Sequence, residues 1–169
     1  TTSELKGTVG YIRMAQFNAN ATDEVSTAVK DLEKKGANSF VLDLRNNPGG
    51  LLQEAVSVSN EFIDSGLIVY TKGRAAGQNM TFNADAARSQ PEYPMIVLVN
   101  NGSASASEIV AGALQDHKRA IILGVPTFGK GSVQTIIPLS DGSAVRLTTS
   151  QYYPPSGRSI QARGIEPDI

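Results

Sequence analysis

The sequence predicts an α/β protein whose sheet is at least partly parallel. Two observations carry this. Short continuous apolar runs (NSFVLDLR, MIVLVN, AIILGV) are of the kind that sits inside a sheet covered on both faces. Between them lie segments whose apolar residues recur with the 3.6-residue period of a helix, and a β-rich stretch follows. Residues 1–169 read as one domain around a single core, with no internal repeat, low-complexity segment or linker to divide them.

Taken in order, GTVGYIRMAQF (7–17) is β-branched and aromatic and predicts a strand, followed by a turn over 18–22. Val25, Ala28, Val29 and Leu32 then mark one face of a helix, with Thr22 as its N-cap and Gly36 as its stop. NSFVLDLR (38–45) predicts a buried strand that ends in the turn Asn46-Asn47-Pro48-Gly49-Gly50. A second helix runs from about Leu51 to Ile63, and Gly66 closes it. LIVYTKGR (67–74) and MTFNA (80–84) predict strands, and DAARSQPEYP (85–94) a surface loop. MIVLVN (95–100) predicts a strand, and Ala106, Ile109, Val110, Ala113 and Leu114 the apolar stripe of a third helix. Val133–Leu139 and Ala144–Tyr152 form two strand-like runs around Ser140-Asp141-Gly142, a hairpin. The tail from Pro154 is too rich in Pro, Gly and charge for a regular element.

Composition excludes several functions. Fifteen basic against sixteen acidic residues, with no long basic run, argue against a protein that coats nucleic acid. With no cysteine and one histidine, a Cys/His zinc site has almost nothing to build it, and no cofactor is expected. The longest apolar runs are too short to span a bilayer, and TTSELKG is not a signal sequence, so an export signal or anchor would lie outside these residues.

Chemistry concentrates between residues 95 and 135. A serine at the start of the third helix would sit where free N–H groups and the helix dipole can stabilise an oxyanion. Yet Ser105-Ala106-Ser107-Glu108 also fits the S-x-x-E capping box, in which the hydroxyl merely caps the helix. His117 cannot activate Ser105, because twelve helical residues at 1.5 Å each separate them by roughly 18 Å. Lys130, flanked by Gly129 and Gly131, is the other candidate base. It would serve only when neutral, which needs burial or positive neighbours. Gln134 would share its strand face and could orient the amine. Two rival readings stand beside this one. Lys130 can be a solvated loop residue, or part of a phosphate loop, since residues 124–130 match G-x-x-x-x-G-K. Against the latter, Gly131 stands where Ser or Thr should hold magnesium, and SVQTIIPL does not open a helix.

Four motifs in order, RNNPGG (45–50), NGSASASEIVAGALQD (101–116), GVPTFGKGSVQT (124–135) and YYPPSGRSIQARGIEPDI (152–169), strongly resemble the catalytic core of the carboxy-terminal processing, or tail-specific, proteases. The resemblance implies a Ser-Lys serine endopeptidase with Ser105 as nucleophile, Lys130 as general base and Gln134 orienting the lysine, while Ser103 and Ser107 support. It implies an oxyanion hole of the Ala106 amide and one from Gly49 or Gly50, and places Tyr152, Tyr153 and Arg158 near the substrate groove. Asp43 and Arg45 read as strand-end charges with structural roles.

The implied fold is a crotonase/Clp-protease-like α/β spiral of strands with flanking helices. The implied partners are polypeptide C-termini, with no nucleic acid and no metal; a homo-oligomer or an adaptor protein stays open, and the cell envelope or periplasm is the implied location. The family's PDZ and helical domains are not visible in these residues. The alternative is a latent or non-catalytic peptide-binding module with the same fold. Hydrogen-bond reach between Ser105 Oγ and Lys130 Nζ is the geometric test between the two.

Overall fold

Residues 9–13, 39–43, 95–99 and 121–124 are the apolar runs that two covered faces require, and they pair as the parallel strands of one sheet. The computed structural model describes residues 1–169, the side chain of Ala76 apart. Its elements are β1 (Thr2–Lys6), β2 (Val9–Arg13), α1 (Ala21–Lys34), β3 (Ser39–Asp43), α2 (Leu52–Asn60), β4 (Leu67–Gly73), β5 (Thr81–Asn83), β6 (Met95–Val99), α3 (Ala106–Asp116), β7 (Ile121–Gly124), β8 (Ser132–Pro138) and β9 (Ala144–Tyr153). Single 3₁₀ turns occur at Ala76–Gln78 and Ala86–Arg88.

A five-stranded sheet has the order β1-β2-β3-β6-β7, and only β1 is antiparallel within it. A second, antiparallel sheet has the order β5-β4-β9-β8. Helices α2 and α3 pack on each other and on β4. Phe40, Leu42 and Val97 of the first sheet therefore share one apolar core with Ile68, Val69 and Tyr152 of the second. This is a mixed α/β fold.

Three local expectations change. The strand foreseen over 7–17 is confined to Val9–Arg13, and Phe17 makes only an isolated bridge to Gly50. Thr22 is not the cap of α1. Asn20 occupies that position, while the Thr22 N–H and hydroxyl both donate to Glu54 Oε2, at 2.9 and 2.6 Å. β1 had no apolar alternation to announce it, and it exists because Gly7 at φ +61° returns the chain onto β2. The tail has no regular element, yet Ile160 and Ile165 are buried in the core and anchor it.

Parallel pairing has one consequence that matters for function. The carboxyl ends of β3, β6 and β7 lie side by side, so the segments that follow them, residues 44–51, 100–105 and 125–131, gather at one edge of the sheet. That edge is where open α/β sheets place ligands.

Candidate active site

The glycine turn and the serine turn are stitched together by buried polar groups. Asn47, fully buried, donates its side-chain amide to Met14 O at 2.9 Å and accepts the Gly49 N–H at 2.9 Å. Its carbonyl accepts from Ala104 N–H at 3.0 Å and from Ser107 Oγ at 2.9 Å. Ser103 Oγ donates to Leu44 O at 2.7 Å and accepts from Asn100 N–H at 3.0 Å. Both hydroxyls are therefore occupied, and both serines are completely buried. Their bonds go to Leu44 and Asn47 of one segment, although Ser103 precedes the helix and only Ser107 lies on it.

Ser105 differs from both. It is the N-cap of α3 with φ 56° and ψ −113°, a conformation that costs a non-glycine residue strain. Gly49 lies directly against this elbow: a Cβ on Gly49 would come within 2.7 Å of Ala104 O and 2.8 Å of Ala106 N and Ser105 Cβ. Only glycine fits there. The Ser105 N–H donates to Glu108 Oε2 at 2.8 Å, and the Glu108 N–H is satisfied by the Ser105 carbonyl at 2.9 Å. The Ser105 hydroxyl stands in the capping-box position over the same Glu108 N–H, which keeps its main-chain partner when the hydroxyl turns away.

Ser105, Lys130 and Gln134 line one cleft of about 300 Å³ together with Gly50, Ala106 and Tyr152. Among the described residues, neither the Gly50 nor the Ala106 N–H donates to another protein group, whereas that of Gly49 is committed to Asn47. Of the two glycines it is therefore Gly50 that presents a free amide. Gly50, at φ +149°, is also pinned, because a Cβ would stand 2.2 Å from Phe17 O.

Lys130 is half-buried, and its backbone rather than its amine is tied down. Its N–H donates to Glu108 Oε2 at 2.8 Å, and its carbonyl accepts from the Tyr152 hydroxyl. No hydrogen bond joins Lys130 Nζ to Ser105 Oγ among the described residues, so the side-chain contact is not made. Burial pushes the Tyr152 hydroxyl far above its ordinary value; the Ser105 hydroxyl beside it acts in the opposite sense and the Glu108 charge in the same one. Gln134 is exposed on the open side of the cleft. β8 starts at Ser132 rather than at Lys130, and a register shift between Val133 and Gln134 breaks the alternation foreseen, so that Ser132, Val133 and Gln134 all border the cleft.

The other predicted groove residues separate. Tyr152 is in the cleft, but Tyr153 stacks on Tyr70 at 5.3 Å between ring centroids. Arg158 corrects the expectation: its guanidinium bonds Asp116 Oδ1 and Gln115 Oε1, each at 2.7 Å. Those partners close the far end of α3, roughly 15 Å from Ser105 by helix rise. His117 is the C-cap of the same helix, with Nε2 2.7 Å from Leu67 O, which confirms its separation from the serine. Asp43 and Arg45 pair as strand-end residues, with Arg45 Nη2 2.7 Å from Asp43 Oδ2. Among the described residues no group of three or more His, Asp or Glu is arranged to hold a metal.

The sequence reading assigned Glu108 only to a capping box. In the structure this carboxylate is completely buried and also receives Gly129 N–H at 2.7 Å and Thr127 Oγ1 at 2.5 Å. Its E-at-N3 position was the visible signal; the partners some twenty residues away were not.

A carboxy-terminal-processing protease of Bartonella bacilliformis is 53% identical over 169 residues, which cover 98% of this chain and 39% of that protein. A carboxyl-terminal-processing protease of Synechocystis sp. is 48% identical over 161 residues, covering 95% and 37%. The chain thus spans about two fifths of the length of these relatives. The solved structure of a photosystem II D1 C-terminal processing protease superposes with a TM-score of 0.87 at 43% identity, over 95% of this chain and 42% of that one. Mature CPAF, at 16% identity and a TM-score of 0.78, shares the fold. Residues 8–169 match peptidase family S41, and the chain belongs to that family.

Proposed function

We propose that residues 1–169 are the catalytic core of a serine endopeptidase that cleaves polypeptides at or near their C-termini. The observation that carries this is the single cleft lined by Ser105, Lys130 and two free backbone amides. Ser105 Oγ attacks the scissile carbonyl while neutral Lys130 takes its proton, and the oxyanion is received by Gly50 and Ala106 N–H. Collapse breaks the C–N bond, and the lysine returns the proton to the leaving amine. Water then attacks the acyl-enzyme, giving its proton to Lys130, and Ser105 recovers its hydroxyl as the ester bond breaks.

Gln134 orients the amine from the cleft margin, and Tyr152 walls the cleft. The Oγ–Nζ hydrogen bond is not made among the described residues, so that test does not support an assembled dyad. What favours the enzyme over a latent peptide-binding module is the family match to processing proteases, and apo sites often close such a contact only with substrate. The substrate lies as an extended strand on the free edge of β8, whose first residues border the cleft. On this reading the mixed α/β fold is a crotonase/Clp-protease-like spiral and the protein acts in the cell envelope or periplasm; three of the matching relatives are named as chloroplastic.

Ser105→Ala and Lys130→Ala are each expected to abolish cleavage of an unfolded protein with the fold intact by circular dichroism. Lys130→Arg is expected to be equally inactive, because a guanidinium stays charged. Activity that survives any of the three would sink the dyad.

A further inference from the structure

Glu108 takes no part in the steps above, yet its carboxylate stands beneath both halves of the cleft. It is completely buried and has no cationic partner among the described residues. Oε2 accepts from the backbone N–H of Ser105 and of Lys130, each at 2.8 Å, and Oε1 from Gly129 N–H at 2.7 Å and Thr127 Oγ1 at 2.5 Å. A helix cap needs only the first of these bonds. The other three come from the loop that carries the lysine.

We infer that Glu108 is the positioning residue that sets the separation of nucleophile and base, a role that rests on the Ser-Lys reading. One oxygen atom holds both amides, so the backbones of Ser105 and Lys130 are kept within two hydrogen-bond lengths of each other. The second oxygen fixes the approach of the loop just before the lysine. Buried, charge-assisted bonds of this kind are short and resist extension. The loop is gripped from its other side by the tail: Thr127 Oγ1 accepts from Ile165 N–H at 2.7 Å, and Gly129 O from Ala162 N–H at 2.9 Å. A lysine on a loop so held can reach Ser105 by turning its own side chain, with no backbone movement.

The arrangement makes a demanding chemical prediction. Three of the four donors are main-chain N–H groups that cannot reverse polarity. Whichever way a glutamine amide turned at this position, its NH₂ would face at least one main-chain N–H that cannot accept, so the isosteric change is not conservative. A mere cap or filler would tolerate it.

The test is steady-state cleavage of a fluorogenic peptide by Glu108→Gln, with Ser105→Ala and Lys130→Ala measured in parallel. Glu108→Gln is expected to lower kcat about 100-fold with KM within about threefold of wild type, the effect of misplacing a reacting group by about 1 Å. Retention of kcat within about threefold, or a loss confined to KM, overturns the inference. If Ser105→Ala or Lys130→Ala still cleaves, it is the underlying dyad that fails. If both are silent while Glu108→Gln is active, the dyad stands and only the positioning role falls. Should Glu108→Gln not fold, Thr127→Val decides: it is expected to cost about 10-fold in kcat, with Thr127→Ser restoring it to within about twofold. An active Val variant, or a Ser variant that fails to restore, overturns the inference.

Discussion

The carboxyl edge of the five-stranded sheet and the outer part of the β8–β9 hairpin border the same cleft and are built in opposite ways. At the sheet edge, Asn47, Ser103, Ser107 and Glu108 are at most 0% exposed and every one of their side chains is hydrogen-bonded. On the hairpin, Ile136, Ile137, Leu139 and Leu147 are between 41% and 61% exposed, and β8 is a free edge. The difference divides labour: one wall fixes where reacting atoms stand, and the other leaves backbone and apolar surface for an incoming chain. Substitutions on the first wall should cost stability and turnover together, and those on the second should cost neither strongly.

The largest effect is expected at Gly50. An alanine there would bring Cβ to 2.2 Å from Phe17 O at a φ of +149°, so both sterics and backbone oppose it. Gly50→Ala should destabilise by more than about 3 kcal/mol in urea unfolding and abolish cleavage. A stable, active variant would mean that the glycine turn is not part of the rigid wall.

Next comes the contrast among the three serines. Ser107→Ala removes one of the two bonds to the Asn47 carbonyl and should cost about 1 kcal/mol, and Ser103→Ala leaves the Asn100 N–H without its acceptor and should cost about 1–3 kcal/mol, each with residual turnover. Ser105→Ala should cost little stability and all of the turnover, since the Glu108 N–H keeps the Ser105 carbonyl as its acceptor. If the three substitutions had equal effects on stability, the elbow would be an ordinary helix cap.

That contrast also shows what was legible in the sequence. The alternation of apolar runs with 3.6-residue stripes is local, and it located the parallel strands and all three helices. The glycine pair, the serine cluster and the flanked lysine are local as well. What was hidden depends on which distant groups meet. Glu108 looked like a cap because its first partner is three residues away, while its other partners arrive from the β7 loop. Arg158 pairs at the far end of α3 because Asp116 projects there, a fact of helix length and tail path rather than of motif. The bulge after Val133 brings consecutive residues to the cleft, and period-two reasoning cannot anticipate it.

A smaller, pH-dependent effect is expected at the strand end beneath the site. Burial alone would raise the Asp43 carboxyl, but hydrogen bonds from Arg45 and Tyr11 outweigh it and hold the group below the usual carboxylate range. With the folded value depressed, the pair's stabilisation is present above about pH 3.9, the ordinary unfolded value, and is lost as pH falls through the folded one. Arg45→Ala should cost about 1 kcal/mol at pH 7, modest because the guanidinium is half exposed. The gap from wild type should close as pH drops below about 4. A gap that is constant with pH would make the pair's contribution packing rather than charge.

The smallest effect on stability is expected on the hairpin. Ile137 and Leu147, 41% and 47% exposed, lie on one face of the ribbon, and threonine preserves strand propensity there. Ile137→Thr and Leu147→Thr should each change stability by no more than about 0.5 kcal/mol. If the ribbon receives polypeptide, KM for an apolar extended substrate should rise about two- to fivefold at unchanged kcat, equivalent to losing about 0.5–1 kcal/mol of contact. A stability loss above about 1 kcal/mol would place the hairpin in the rigid frame and erase the division between the two walls. An unchanged KM at unchanged stability would keep the division but move the receiving surface elsewhere along the β8 edge.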